Sequence, residues 1–188
     1  MMATAELCRD VAAEAVRRGA LGNVHELWAA LEFLSGTVEA DLVVDVGSPP
    51  ATWWAWWSVC PNLIGAGRGG VTSPGFSGDR LPSTVVAIDG DPTDRALALR
   101  VTDQAARRPI DAVVLGVLTD EEHARTMWRL YSPLVKPGGV VLMRSIANPA
   151  TPGVGRFWRG LEAERKDELI GAVDPDGYGV VTIPGQVQ

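Results

Sequence analysis

The sequence predicts a doubly wound α/β fold, a mostly parallel Rossmann-like sheet in a single domain spanning residues 1–188. Three observations carry that expectation. Short β-branched runs recur along the chain: DLVVDVG (41–47), STVVAID (83–89), IDAVVLGVL (110–118) and GVVLMRSI (139–146). Each is the continuous apolar run that a strand buried on both faces requires. Stretches with helical spacing fall before and between these runs, and such alternation gives a parallel sheet covered on both sides. The 188 residues are 46% hydrophobic and 21% charged, which suits one globular domain with a full core.

Taken in order, residues 1–36 read as two helices. In the first, Leu7, Val11 and the Ala12/Ala15 pair share a face, and Gly19 can close it. In the second, Asn23 can cap while Glu26 reaches back from three residues on, and Ser35-Gly36 stops the helix. After the strand at 41–47, WWAWW (53–57) predicts a helix with Trp53, Trp56 and Trp57 on one face, Trp54 at its margin and Ala55 opposite. This helix either rests on the sheet or lends one or two rings to a cleft or interface. Residues 61–83 hold six glycines without periodicity and read as a long Gly-rich loop insertion. Within it, GAGRGG (65–70) matches the dinucleotide pattern G-x-G-x-x-G, but no strand precedes it and no helix follows, so it reads as loop.

Thr119 and Glu122 then form a capping-box pattern ahead of a helix carrying Ala124, Met127 and Tyr131, and VKPGG ends it. A last helix around VGRFWRGLEAERK leads to two antiparallel strands, ELIGAV and YGVVTIP, joined at Asp174-Pro175-Asp176-Gly177.

The formal charge of −6 disfavours nucleic acid or an anionic membrane as partner. Two cysteines, Cys8 and Cys60, without C-x-x-C spacing, argue against a disulfide framework or a thiolate zinc site. No apolar run reaches the roughly 20 residues of a membrane span, and the N-terminus lacks a secretory core. The expectation is a cytoplasmic protein acting on a small molecule, with a homo-oligomer left open.

In such sheets ligands bind beyond the carboxyl ends of the strands. Asp45-Val46-Gly47 places an acid and a glycine there, and Asp89 ends what reads as the neighbouring strand, where a carboxylate can accept from ribose hydroxyls.

The order of these features resembles the class I S-adenosylmethionine (SAM)-dependent methyltransferases. It is nearest the branch of sugar O-methyltransferases and cephalosporin-hydroxylase-like proteins. LYSPLVKPGGVVLMRSI (130–146) is the most specific segment, and VVDVGS, VVAIDGDP, IDAVVL and GVGRFW…DGYGVVTI fall in the family's order. The resemblance implies SAM as cofactor, with Asp45, Gly47, Ser48 and Ala51 along its methionine part. It further implies Asp89 at the ribose and Asp103 near the adenine. It also implies methyl transfer to a small-molecule hydroxyl, with sugars among the candidate acceptors.

The sequence departs from the family at marked places. Ala51 stands where a second glycine is usual, behind Pro49-Pro50. The metal-dependent members carry acids after the fourth and fifth strands, and this chain has LGVLT (115–119) and Arg144-Ser145 there. No metal is therefore expected. His123 and Asp120 are the candidates for proton removal near the sheet's carboxyl edge. The alternative is a catalytically inactive methyltransferase-fold module used for binding or assembly. A nicotinamide-dependent oxidoreductase is disfavoured by the misplaced glycine pattern.

Overall fold

The computed structural model describes residues 3–68, 84–106, 108–163, 165–169 and 176–185. Helix α1 (Ala5–Arg17) is capped by the Thr4 side chain, which accepts from the Leu7 N–H. It buries Cys8, Val11, Ala12 and Ala15, whereas Leu7 lies exposed. Helix α2 (Val24–Glu32) is capped by Asn23 as the sequence predicts, its Oδ1 accepting from His25 and Glu26. The Glu26 side chain does not return to the cap; it is buried beside Arg144. Ser35-Gly36 does not stop the helix either. The chain continues through a wider π-helical turn, Phe33–Val38, and ends at Glu39 in the left-handed region.

Strand β1 (Leu42–Val46) is buried at every position. Helix α3 (Pro50–Val59) follows, with Pro50 in its first turn, where a missing N–H costs nothing. Next comes β2 (Asn62–Gly67), a buried parallel strand. The expected insertion at 61–83 is corrected here: its first part is a sheet strand, and residues 69–83 lie outside the described residues. The local sequence hid it because LIGAG is short, poor in β-branched residues and rich in glycine.

The chain proceeds through β3 (Val85–Asp89), α4 (Arg95–Ala105), β4 (Ile110–Leu115), α5 (Glu121–Tyr131) and β5 (Val135–Arg144), then α6 (Pro152–Gly160), β6 (Lys166–Leu169) and β7 (Tyr178–Thr182). The predicted last helix thus ends at Gly160 rather than extending through Lys166. Residues 170–175, which hold most of the predicted strand ELIGAV and the Asp174-Pro175 half of its connection, lie outside the described residues.

One seven-stranded sheet results, in the order β3-β2-β1-β4-β5-β7-β6. The first five strands are parallel, and β7 runs antiparallel between β5 and β6. Alternate residues feed two cores, as a pleat requires. Leu42, Val44, Val46, Leu115 and Met143 face α4, α5 and α6. Val43, Val114, Leu142 and Val180 face α1, α2 and α3.

The tryptophan helix divides differently from the expectation. Trp53, Trp56 and Ala55 are buried, whereas Trp57 is only half-buried and donates to Thr84. Arg18 covers the Trp54 ring. Gly65 of β2 lies flat under Trp53, and a Cβ there would fall inside the indole. Gly65→Ala is therefore expected to lose about 1–3 kcal/mol through overpacking, read as a lower urea midpoint at unchanged slope.

Candidate functional site

The connection after β1 leads towards β2, and the connection after β4 leads towards β5 on the other side. Strand order therefore reverses between β1 and β4, and a crevice opens above their carboxyl ends. The strand tips are held together by main-chain bonds, Gly47 N–H to Ala66 O (2.8 Å) and Gly116 N–H to Val46 O (2.9 Å). Gly47 has φ +88°, a conformation that glycine adopts without strain. A side chain there would be strained by that φ, although its Cβ would meet Val117 and Pro92 only at ordinary contact distance, so bare backbone forms the floor.

Above this floor lies a cavity of about 790 Å³, within the range of small-molecule sites. Gly47 closes it below, Arg68 comes from the tip of β2, and Asp91, Pro92 and Thr93 come from the turn after β3. Val117, Thr119, Asp120 and His123 form the opposite wall. Tyr131 braces the turn after β3, its buried hydroxyl donating to the Pro92 carbonyl at 3.0 Å.

Asp91 Oδ1 accepts from the Thr93 N–H (2.9 Å) and the Thr93 hydroxyl (2.7 Å), and Arg68 pairs with Oδ2. The Thr93 bonds, aided by Arg68, hold this carboxyl down to about 2, so it is an anion at any working pH. Asp120 caps α5, its Oδ1 accepting from the His123 N–H at 2.9 Å, while Thr119 donates to Oδ2 at 3.0 Å. The predicted capping box is thus displaced by one residue. These bonds keep Asp120 below the usual carboxylate range. The Thr119 N–H reaches His123 Nδ1 at 3.3 Å, and the Thr119 hydroxyl lies 3.0 Å from the same atom. With Nδ1 accepting from main chain, the neutral ring carries its proton on Nε2.

The structure brings Gly47, Asp120 and His123 to one cavity and leaves the other sequence-predicted residues off its wall. Asp45 is fully buried below the floor. Its Oδ2 accepts from Trp56 Nε1 (2.5 Å), and its Oδ1 accepts from the Ser48 N–H (3.1 Å) and Trp53 Nε1 (3.3 Å). Burial pushes this carboxyl up to about 6, against those bonds. Ser48 and Ala51 are buried at the start of α3.

Asp89 ends β3, which β2 separates from β1, so two strand spacings of about 4.8 Å intervene rather than one. The Asp89 carbonyl accepts from Arg100, and Asp91, two residues on, lines the cavity from the turn after β3. Asp103 lies exposed in the last turn of α4. Because α4 runs back antiparallel to the strands, that position is at the opposite edge of the sheet. Sequence reasoning missed Arg68, Asp91 and Thr93. Arg68 was hidden in the glycine-rich stretch, whereas Asp91-Pro92-Thr93 carried a readable signal as a turn with an acid directly after a strand tip.

The tips of β4 and β5 carry Gly116, Val117, Arg144 and Ser145, none of them a carboxylate. Among the described residues no three His, Cys, Asp or Glu side chains converge as ligands. Arg144 ends β5 and is itself the centre of an ionic cluster, Nε 3.2 Å from Glu26 Oε1 and Nη2 2.8 Å from Asp176 Oδ2.

No family model matches the sequence, and no curated protein matches it. Solved structures do. The O-methyltransferase TomG of Streptomyces achromogenes, involved in tomaymycin synthesis and solved with SAM, superposes with a TM-score of 0.64. The match has 16% identity and covers 95% of this chain and 90% of that one. The fold is that of the class I O-methyltransferases. An O-methyltransferase from Bacillus cereus, solved with S-adenosylhomocysteine (SAH), gives 0.61 at 16% identity, covering 95% and 90%. The mycinamycin methyltransferase MycE, solved with Mg, SAH and mycinamycin VI, gives 0.61 at 13% identity and matches over 54% of its length. In this methyltransferase fold the cavity above Gly47 lies at the strand-order reversal. No helix of the described residues is long and apolar enough to cross a membrane.

Proposed function

We propose that the chain is a SAM-dependent methyltransferase acting on a hydroxyl of a small molecule, sugars among the candidates, without a metal ion. One observation carries the reading: a cavity at the strand-order reversal whose floor is glycine backbone and whose rim holds a fixed carboxylate, Asp91. SAM would supply a methyl group on a sulfonium; in-line transfer to a hydroxyl oxygen would break the S–C bond, leave SAH and release the hydroxyl proton to solvent at the open cavity. The protein's share is then mainly positioning. Asp91 accepts from the ribose hydroxyls, a role assigned to Asp89 by the sequence, and Gly47 lets main chain approach the ligand. His123 presents Nε2–H as a donor that orients the acceptor, and Asp120 holds His123 through the α5 cap rather than taking a proton itself.

The test is calorimetry with SAM and SAH. Micromolar binding is expected in the wild type, and Asp91→Asn is expected to weaken it about tenfold or more, the loss of a charged hydrogen-bond acceptor. No heat with either ligand at millimolar concentration rejects the reading.

A second reading has its own support. The motif acid Asp45 is sealed under two indoles, which suits a methyltransferase fold retained for binding alone. SAH binding with no methyl transfer to any of a panel of hydroxylated acceptors favours that reading.

A further inference from the structure

Asp45 is a buried carboxylate that the proposed reaction does not use. A buried charge is normally replaced or paired with a cation, yet this one meets neutral donors only. Trp53 and Trp56 Nε1 reach it from α3, and the Ser48 N–H reaches it from the turn that begins at the cavity floor. The Ser48 side chain adds a further bond. Asp45 therefore ties together three things: the end of β1, the Gly47–Ser48 turn and two rings of α3. Gly47, two residues above it, lines the cavity.

Resting on the cofactor reading above, we propose that Asp45 is a positioning residue for the cavity. Its ionised carboxylate fixes the Gly47–Ser48 turn in the shape that accepts the ligand, and a proton taken up there loosens the turn and weakens binding. The physical reason is donor counting. A carboxylate offers acceptor sites to every N–H that points at it, whereas a carboxylic acid brings a donor of its own. A proton on Oδ2 would take up a lone pair there and leave the Trp56 N–H facing a neutral, weaker acceptor. A proton on Oδ1 would oppose both the Ser48 N–H and the Trp53 N–H, so a partner has to move.

Among the described residues, the titratable groups on this side of the sheet and its helices include Cys8 and Glu14 of α1, Arg18 over the Trp54 ring, His25 and Glu26 of α2, Cys60 after α3, Asp89 of β3, Arg144 of β5 and Tyr178 of β7. None contributes to the shift at Asp45, which arises from burial opposed by the hydrogen bonds. That burial brings the proton uptake into an accessible range, near pH 6.

The experiment follows the tryptophan indole N–H resonances of the full chain from pH 4.5 to 8, with SAH affinity measured across the same range. Trp53→Phe and Trp56→Phe assign the two signals. Expected are two indole signals moving together with a midpoint near 6, the other five tryptophans not following that midpoint. SAH affinity should fall at least about fivefold as the proton binds. Asp45→Asn should remove both the titration and the pH dependence of affinity. Trp53→Phe keeps a ring in place and loses one donor to the anion, so the Trp56 midpoint should rise.

Indole signals that stay fixed, or that titrate equally in Asp45→Asn, overturn the proposal. So does a titrating pair with flat SAH affinity. Absence of SAH binding at every pH, with the indoles still titrating, rejects the cofactor reading and leaves the carboxylate lock standing.

Discussion

Replacing Arg144 with methionine is expected to destabilise the chain by about 3–5 kcal/mol, the usual consequence of stranding a buried charge. Arg144 is the cation between Glu26 of α2 and Asp176 before β7, with its side chain only 11% exposed and that of Glu26 only 1%. Without the guanidinium, Glu26 loses the cation that its buried charge faces, or takes a proton at a similar cost. A fall in melting temperature of roughly 6–20 °C should follow for a chain of this length. The Glu26→Leu/Arg144→Met double variant removes both charges and should recover much of the loss, because a hydrophobic pair of similar volume can replace a buried ion pair. Urea denaturation of the single and double variants measures the coupling. A single variant within about 1 kcal/mol of wild type would show that water reaches this cluster freely.

The second large effect concerns Asp45 and runs against the usual direction of acid denaturation. The folded chain raises this carboxyl from its ordinary 3.8 to about 6 through burial. Between those values the folded state holds a proton that the unfolded state releases, so stability falls as pH rises. The contribution is fully present below about pH 4 and is lost as pH climbs through about 6. It amounts to about 3 kcal/mol, since each tenfold gain in proton affinity on folding is worth about 1.36 kcal/mol. Comparing wild type with Asp45→Asn isolates it from the other carboxylates. The wild type should lose ground relative to the variant by that amount between pH 4 and 7.5. A difference that stays constant, or moves in the opposite direction, would mean that the hydrogen bonds outweigh burial at this site. A chain that keeps an ionised acid here at neutral pH gives up global stability to keep the turn above it in one shape, a trade familiar at functional sites.

Much of the architecture was legible because it rests on local signals. The runs around Val43, Val113 and Val141 are apolar on both sides of the pleat, and only a sheet covered on both faces accommodates them. The Asn23 cap was readable for the same reason: a cap involves residues two or three apart. Strand β2 escaped notice because its glycines answer to distant neighbours: the Trp53 ring, 12 positions away in sequence, lies on Gly65, and the Gly47 backbone lies against Gly67. Missing β2 had a consequence for the site. With β2 absent, Asp89 reads as the end of the strand beside β1, and two acids read as sharing one pocket.

The sequence by itself determined the class of fold, the edge of the sheet where a ligand would bind, and the glycine turn after the first strand. These follow from periodicity, from turn chemistry and from the rule that parallel sheets bind beyond their carboxyl ends. Only the tertiary structure decided which acid faces the cavity. A strand's alternation settles which face a side chain takes, but whether that face is open or roofed depends on the helix above it. Over Asp45 the roof is two indoles, so the acid that the motif advertises became part of the foundation. Asp91, in the turn after β3, was left lining the cavity.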